Sequence, residues 1–170
     1  MDIQTSTVKK LVLTKVPNLD SISVYLEDFG SGKGNIVISC YNQSWSFYWG
    51  AMGEYTLSKF ITTCDNHYLA KKLNPNVTSE IYDEEGFENY AQKHIIQLRK
   101  EDSITRERAR ELYDQCWLLS DYKDTDTAQY SEIMFQIFGD EWYEFTPQKP
   151  NPEYNYFCRI LDAVKEALKQ

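Results

Sequence analysis

"IVISCYNQSWSFYWGAMG", residues 36–53, decides the fold, because two strand-like runs stand here on either side of a two-residue break. In the second run Trp45, Phe47 and Trp49 alternate with Ser44, Ser46 and Tyr48. A strand sends successive side chains to opposite faces, so the large apolar trio shares one face. An alternating strand with a single bulky face packs under another layer, which makes the trio core and leaves Tyr48 and Tyr41 toward solvent. Upstream, "SISVYLED" (21–28) sets Ile22, Val24 and Leu26 on one face, and "VKKLVLTKV" (8–16) alternates less cleanly before Pro17. The glycine-rich "FGSGKGN" (29–35) lies between two of these runs, and the spacing predicts an antiparallel meander of three to four strands.

Beyond residue 56 the apolar period changes to that of a helix. Thr56 is placed to cap a helix carrying Leu57, Phe60, Ile61 and Cys64, followed by a turn or helix with Leu69 and Leu73 that "NPN" (74–76) breaks. Phe87, Tyr90, Ala91, His94, Ile95 and Leu98 form an amphipathic stripe. Asp102 or Ser103 is the expected start of the next helix, with Ile104, Leu112, Tyr113, Cys116 and Trp117 inward. Another is expected over 127–138, with Tyr130, Ile133, Met134, Ile137 and Phe138 buried before Gly139. The last opens with Asn151 as cap, Pro152 in the first turn and Glu153 at the positive dipole end, with Phe157, Ile160, Leu161, Val164 and Leu168 inward. The expected fold is α+β: one domain over 1–170, mainly β over 1–53 and mainly α over 56–170, the sheet packed by about five helices.

Composition narrows the functional classes. The chain carries a net charge of −8, and residues 111–144 hold Glu111, Asp114, Asp121, Asp124, Asp126, Glu132, Asp140, Glu141 and Glu144 against Lys123 alone. Such a balance is poorly suited to nonspecific binding of a phosphate backbone, so nucleic acid is not the expected partner. No run approaches the apolar length of a membrane helix, and the N-terminus lacks a signal-peptide pattern. Cys40, Cys64, Cys116 and Cys158 are widely spaced, as expected of reduced thiols in a cytoplasm.

The chemical motifs fail one by one. In "GSGKGN" (30–35) Lys33 precedes glycine and a strand follows, whereas a phosphate loop needs a helix there. Cys64 and His67 stand at half of a zinc-site spacing, and a closed site needs four ligands. His94 is the candidate base for a cysteine nucleophile, yet it sits on an apolar stripe. "DYKDTDTAQYSE" (121–132) has Lys123 and Asp126 where a calcium loop needs an acid and a glycine. "RERAR" (106–110) interleaves arginine with Glu107 and reads as an ion-paired surface. No catalytic residue, metal or cofactor is therefore expected.

Contact chemistry is more plentiful, with thirteen tyrosines and four tryptophans. "FGDEWYEFTPQKPNPEYNYF" (138–157) sets Trp142 and Tyr143 among carboxylates. Aromatics of this kind anchor interfaces while the charge steers a basic partner. The expected partner-binding residues are Asp121, Asp124, Asp126, Asp140, Glu141, Trp142, Tyr143 and Glu144. Two rivals stand beside this reading: base stacking of single-stranded nucleic acid on Tyr41 and Tyr48 near Lys9, Lys10, Lys15 and Lys33, and an enzyme using Cys64, His67 or His94. Oligomeric state is not legible.

"GKGNIVISCYNQSWSFYWGAMG" followed by "LSKFITTCDNHYLAKKL" resembles small accessory proteins encoded by tailed phages and prophages, over roughly residues 8–73. The resemblance transfers no catalytic residue. It implies an accessory protein of a bacterial virus acting in the host cytoplasm, where such proteins often counter host defence by binding a host protein.

Overall fold

The aromatic stretch belongs to a four-stranded antiparallel sheet. Its strands β1 (Lys9–Leu13), β2 (Ile22–Gly30), β3 (Lys33–Cys40) and β4 (Gln43–Trp49) lie in chain order. This computed structural model describes residues 1–170 apart from 4, 6, 31, 84, 85, 120–126, 145 and 146. The remaining elements are α1 (Leu57–Thr63), α2 (Asn66–Leu73), β5 (Glu80–Tyr82), α3 (Phe87–Lys100), α4 (Arg106–Gln115), α5 (Thr127–Phe138), β6 (Gln148–Pro150) and α6 (Pro152–Leu168). Short 3-10 turns cover Cys116–Leu119 and Trp142–Glu144. The expected α+β class is the observed one.

Register explains the core face. Val24 pairs with Ile38 and Ile38 with Trp45, while Leu26 pairs with Ile36 and Ile36 with Phe47. A slip of one residue would turn all of these to solvent. Trp49 is buried, and Trp45 meets Phe157 of α6 at 4.5 Å between ring centroids. Tyr41 and Tyr48 are exposed, as the alternation predicts. "FGSGKGN" is the β2–β3 hairpin, with Gly30 and Gly32 both at positive φ (71° and 68°). Gly32 also accepts a 2.7 Å bond from the Met52 N–H, which brings the hairpin against the "GAMG" turn.

The chain divides into two compact units, 1–79 with 151–170 and 80–150. In the first, α1, α2 and α6 cover the sheet, and Leu57, Ile61, Leu69, Phe157, Ile160, Leu161 and Val164 join its buried face. Thr56 caps α1 as expected, and the helix ends at Thr63, so Cys64 is its C-cap, still packed against the core. Asn151 caps α6, accepting from the Glu153 N–H at 3.0 Å and donating to the Thr78 carbonyl at 2.8 Å.

The second unit has its own core of Phe87, Ala91, Ile95, Leu112, Cys116, Leu119, Tyr130, Ile133, Met134, Ile137 and Phe138. Strands β5 and β6 pair antiparallel from Glu80–Pro150 to Tyr82–Gln148 and zip the two ends of the segment together. The stripe of α5 falls where periodicity puts it, and so does that of α3 except for Tyr90, which is exposed. Helix α4 differs in two respects. It opens at Thr105, whose hydroxyl accepts from the Arg108 N–H, and not at Asp102 or Ser103. Asp102 instead closes α3 in the left-handed conformation (φ 55°), with Ser103 N–H bonding the Leu98 carbonyl and Asp102 N–H the Arg99 carbonyl. That is the Schellman arrangement, and it spends Asp102 on the preceding helix. Tyr113 and Trp117, expected inward, are exposed at 40% and 57%. Helix α4 ends at Gln115 and a 3-10 turn follows, so the 3.6-residue count that aligned Trp117 with Leu112 and Cys116 stops applying.

Candidate partner-binding site

The expected acidic surface resolves into a built turn after α5. Gly139, at φ 78°, ends the helix in the left-handed region and donates its N–H to the Phe135 carbonyl at 2.8 Å. Only glycine adopts this conformation without a Cβ penalty. The chain then folds into the 3-10 turn, where Trp142 N–H bonds the Gly139 carbonyl and Glu144 N–H the Glu141 carbonyl. Trp142 is half-buried, packs against the second unit's core and meets Tyr130 edge-on at 6.4 Å. Tyr143 lies 6.3 Å from the Trp142 ring and is 62% exposed. Asp140, Glu141 and Glu144 are exposed beside it.

Five of the eight expected residues are thus brought together, with Trp142 as root and Tyr143 as tip. Asp121, Asp124 and Asp126 lie outside the described residues. After the turn the chain is tied again: Pro147 accepts from the Asp83 N–H at 2.9 Å, and Lys149 Nζ lies 3.0 Å from Asp83 Oδ1. The turn is therefore held on both sides, which lowers the ordering cost of presenting its side chains to a partner.

Sequence reasoning missed a second feature of this unit. A groove of about 340 Å³ between α3 and α4 is floored by Ile95, Ile96, Ala109 and Tyr113 and rimmed by Arg99, Lys100, Arg106 and Arg110, with one carboxylate, Asp114, also in its lining. "RERAR" is ion-paired only in part. Arg108 binds Glu111 at 2.8 Å and Gln136 at 3.0 Å, and Arg99 binds Asp102. Among the described residues Lys100, Arg106 and Arg110 make no salt bridge. The signal was available in the four-residue spacing of Arg106 and Arg110, which puts both on one helix face beside the end of α3.

The cysteine and histidine candidates are placed apart from any activated arrangement. His67 Nδ1 lies 3.3 Å from the Tyr154 hydroxyl, whereas Cys64 has Lys165 near it, whose Nζ donates to the Cys64 carbonyl at 2.7 Å. Burial pushes the Cys64 and Cys158 thiols up, and Cys116 to about 12. A nucleophilic cysteine needs the opposite displacement. His94 packs 4.8 Å from Phe138, and burial holds its imidazole below the ordinary value. All four cysteines are free, and among the described residues no group of three or more His, Cys, Asp or Glu could hold a metal ion.

The sheet residues of the stacking alternative are dispersed. Tyr48 stands 6.1 Å from Phe29 on the open face, while Tyr41 sits on the β3–β4 turn at φ 54°. Lys10 lies over the Tyr25 ring on that face, and its neighbour Lys9, one residue along the strand, projects from the other. Among the described residues no helix is long and apolar enough to cross a membrane.

No curated protein and no solved structure matches the chain. A family model does, and it reaches beyond the 8–73 stretch that carried the resemblance. Its match spans residues 1–170, so the chain belongs to Phage_phiTE_072, a phage family.

Proposed function

We propose that this phage protein is a non-enzymatic binding module that engages a basic surface on a host protein through the acidic turn 140–144, with inhibition of a defence or nucleic-acid-processing complex as the outcome. The observation that carries the reading is the pairing of an exposed Tyr143 with a core-rooted Trp142 on a turn bearing Asp140, Glu141 and Glu144. Interface hot spots combine a rigid aromatic with surrounding contacts that exclude water, and rim charges raise the encounter rate. The raised thiols support the non-enzymatic part, since they remain protonated near neutral pH. The chain acts in the host cytoplasm in this reading.

Site-specific photo-cross-linking tests it. A photoreactive phenylalanine analogue at position 143 keeps the aromatic shape and, in host cells, should yield one discrete protein adduct. The same group at Tyr41, the 83% exposed tyrosine of the β3–β4 turn, should not. Adducts of equal pattern and yield from both positions would defeat the proposal.

A further inference from the structure

The α3–α4 groove is independent of the turn and has the opposite charge. Its floor contains Ile96 and Tyr113, exposed at 44% and 40%, with Ile95 buried beneath. The lining carries four cations against one carboxylate, Asp114, and Lys100, Arg106 and Arg110 make no salt bridge among the described residues. Local structure holds this rim in place. The left-handed Asp102 turns the chain at once after α3, and the Thr105 cap starts α4, so both helix ends present their basic residues at one edge. Arginine at the first position of a helix stands against the positive end of the dipole, an arrangement that local helix stability does not favour.

We infer that this groove is a docking site for a short acidic segment of a partner protein that carries a large apolar side chain. Three observations select that occupant. The apolar floor calls for a side chain to bury, and the rim calls for carboxylates on either side of it. A second copy of this chain carries carboxylates and aromatics together at 140–144, but it would bring its net charge of −8 against a chain of the same charge. A nucleic-acid strand would run from Arg106 and Arg110 past Asp114, which lines the groove itself, onto Glu107 and Glu111 of the adjoining surface of α4. The site thus suits a few carboxylates and one anchor, and not a continuous polyanion.

The test uses the full chain and a labelled helical peptide of glutamate and alanine carrying tryptophan and leucine one turn apart, read by fluorescence polarisation. Three further probes are oligoglutamate, the same peptide with lysine for glutamate, and a thymidine oligonucleotide. The acidic amphipathic peptide should bind best. Arg106→Gln with Arg110→Gln should weaken it about tenfold, as expected for two partly exposed charge pairs. Ile96→Ser should reduce its advantage over oligoglutamate. All three positions are exposed, so the variants should retain the wild-type circular dichroism spectrum. Absence of peptide binding, equal binding of the lysine peptide, or tighter binding of the oligonucleotide would overturn the inference. So would sedimentation data in which Arg106→Gln with Arg110→Gln abolishes a dimer, because the occupant would then be a second copy.

Discussion

Gly32 shows how one atom's absence shapes the sheet end. A Cβ built there would stand 2.0 Å from the Gly53 carbonyl oxygen, and the residue's φ of 68° is already unfavourable for an L side chain. Gly32→Ala should cost about 2 kcal/mol or more, from backbone strain and overlap together. The denaturant midpoint should fall at unchanged slope. His94 makes a second residue-scale prediction. Burial lowers its pKa from 6.5, outweighing the opposing influence of Glu101 and the Ile137 backbone. The unfolded chain then binds more protons than the folded one below 6.5, so stability present above that value is lost as pH falls through it toward the folded value. Thermal scans of the wild type should show a decline that begins near the ordinary histidine range. In His94→Gln the decline should wait for the carboxylates, near pH ~4.

Helix ends are the elements where sequence and structure can be compared most closely. Asn151 was legible as a cap because Pro152 and Glu153 follow it, and the structure adds a tertiary bond to Thr78 that no local pattern contains. Asn151→Ala should therefore cost about 1–2 kcal/mol, the upper part of the range for an N-cap. Thr105→Ala, which removes only the local cap, should cost about 1 kcal/mol or less. Urea titrations of both variants would establish the order. The sheet and the stripes of α3, α5 and α6 were legible because each buries one face at a constant period. Strands β5 and β6 were not, since three residues contain too little alternation and their partners lie about seventy positions apart in the chain. The α4 start was misplaced because Asp102 and Ser103 carry capping side chains while the backbone uses them to finish α3. In the candidate site, Trp142 and Tyr143 could be named but not ranked. Burial separates root from tip, and burial depends on Tyr130 of α5.

On the scale of the whole molecule, residues 80–150 form an insertion between α2 and α6 that closes on itself through β5 and β6. Its points of departure and return are already joined, because the Asn151 N–H bonds the Ser79 carbonyl at 2.9 Å. Replacing 80–150 with a short glycine linker should leave the sheet and α1, α2 and α6 folded, with a cooperative thermal transition and dispersed amide resonances. A molten spectrum would show that the first unit depends on the insertion. Both the acidic turn and the basic groove belong to the insertion, so the shortened chain should lose partner binding while retaining its fold. The central claim, that the turn binds a host protein, is tested most directly by capture from bacterial host lysate after nuclease treatment. Wild-type protein would be run beside a variant combining Asp140→Lys, Glu141→Lys and Tyr143→Ala. The account predicts one stoichiometric protein partner with the wild type and its loss with the variant. Equal recovery by both, recovery that disappears with nuclease, or no partner with the wild type would contradict it.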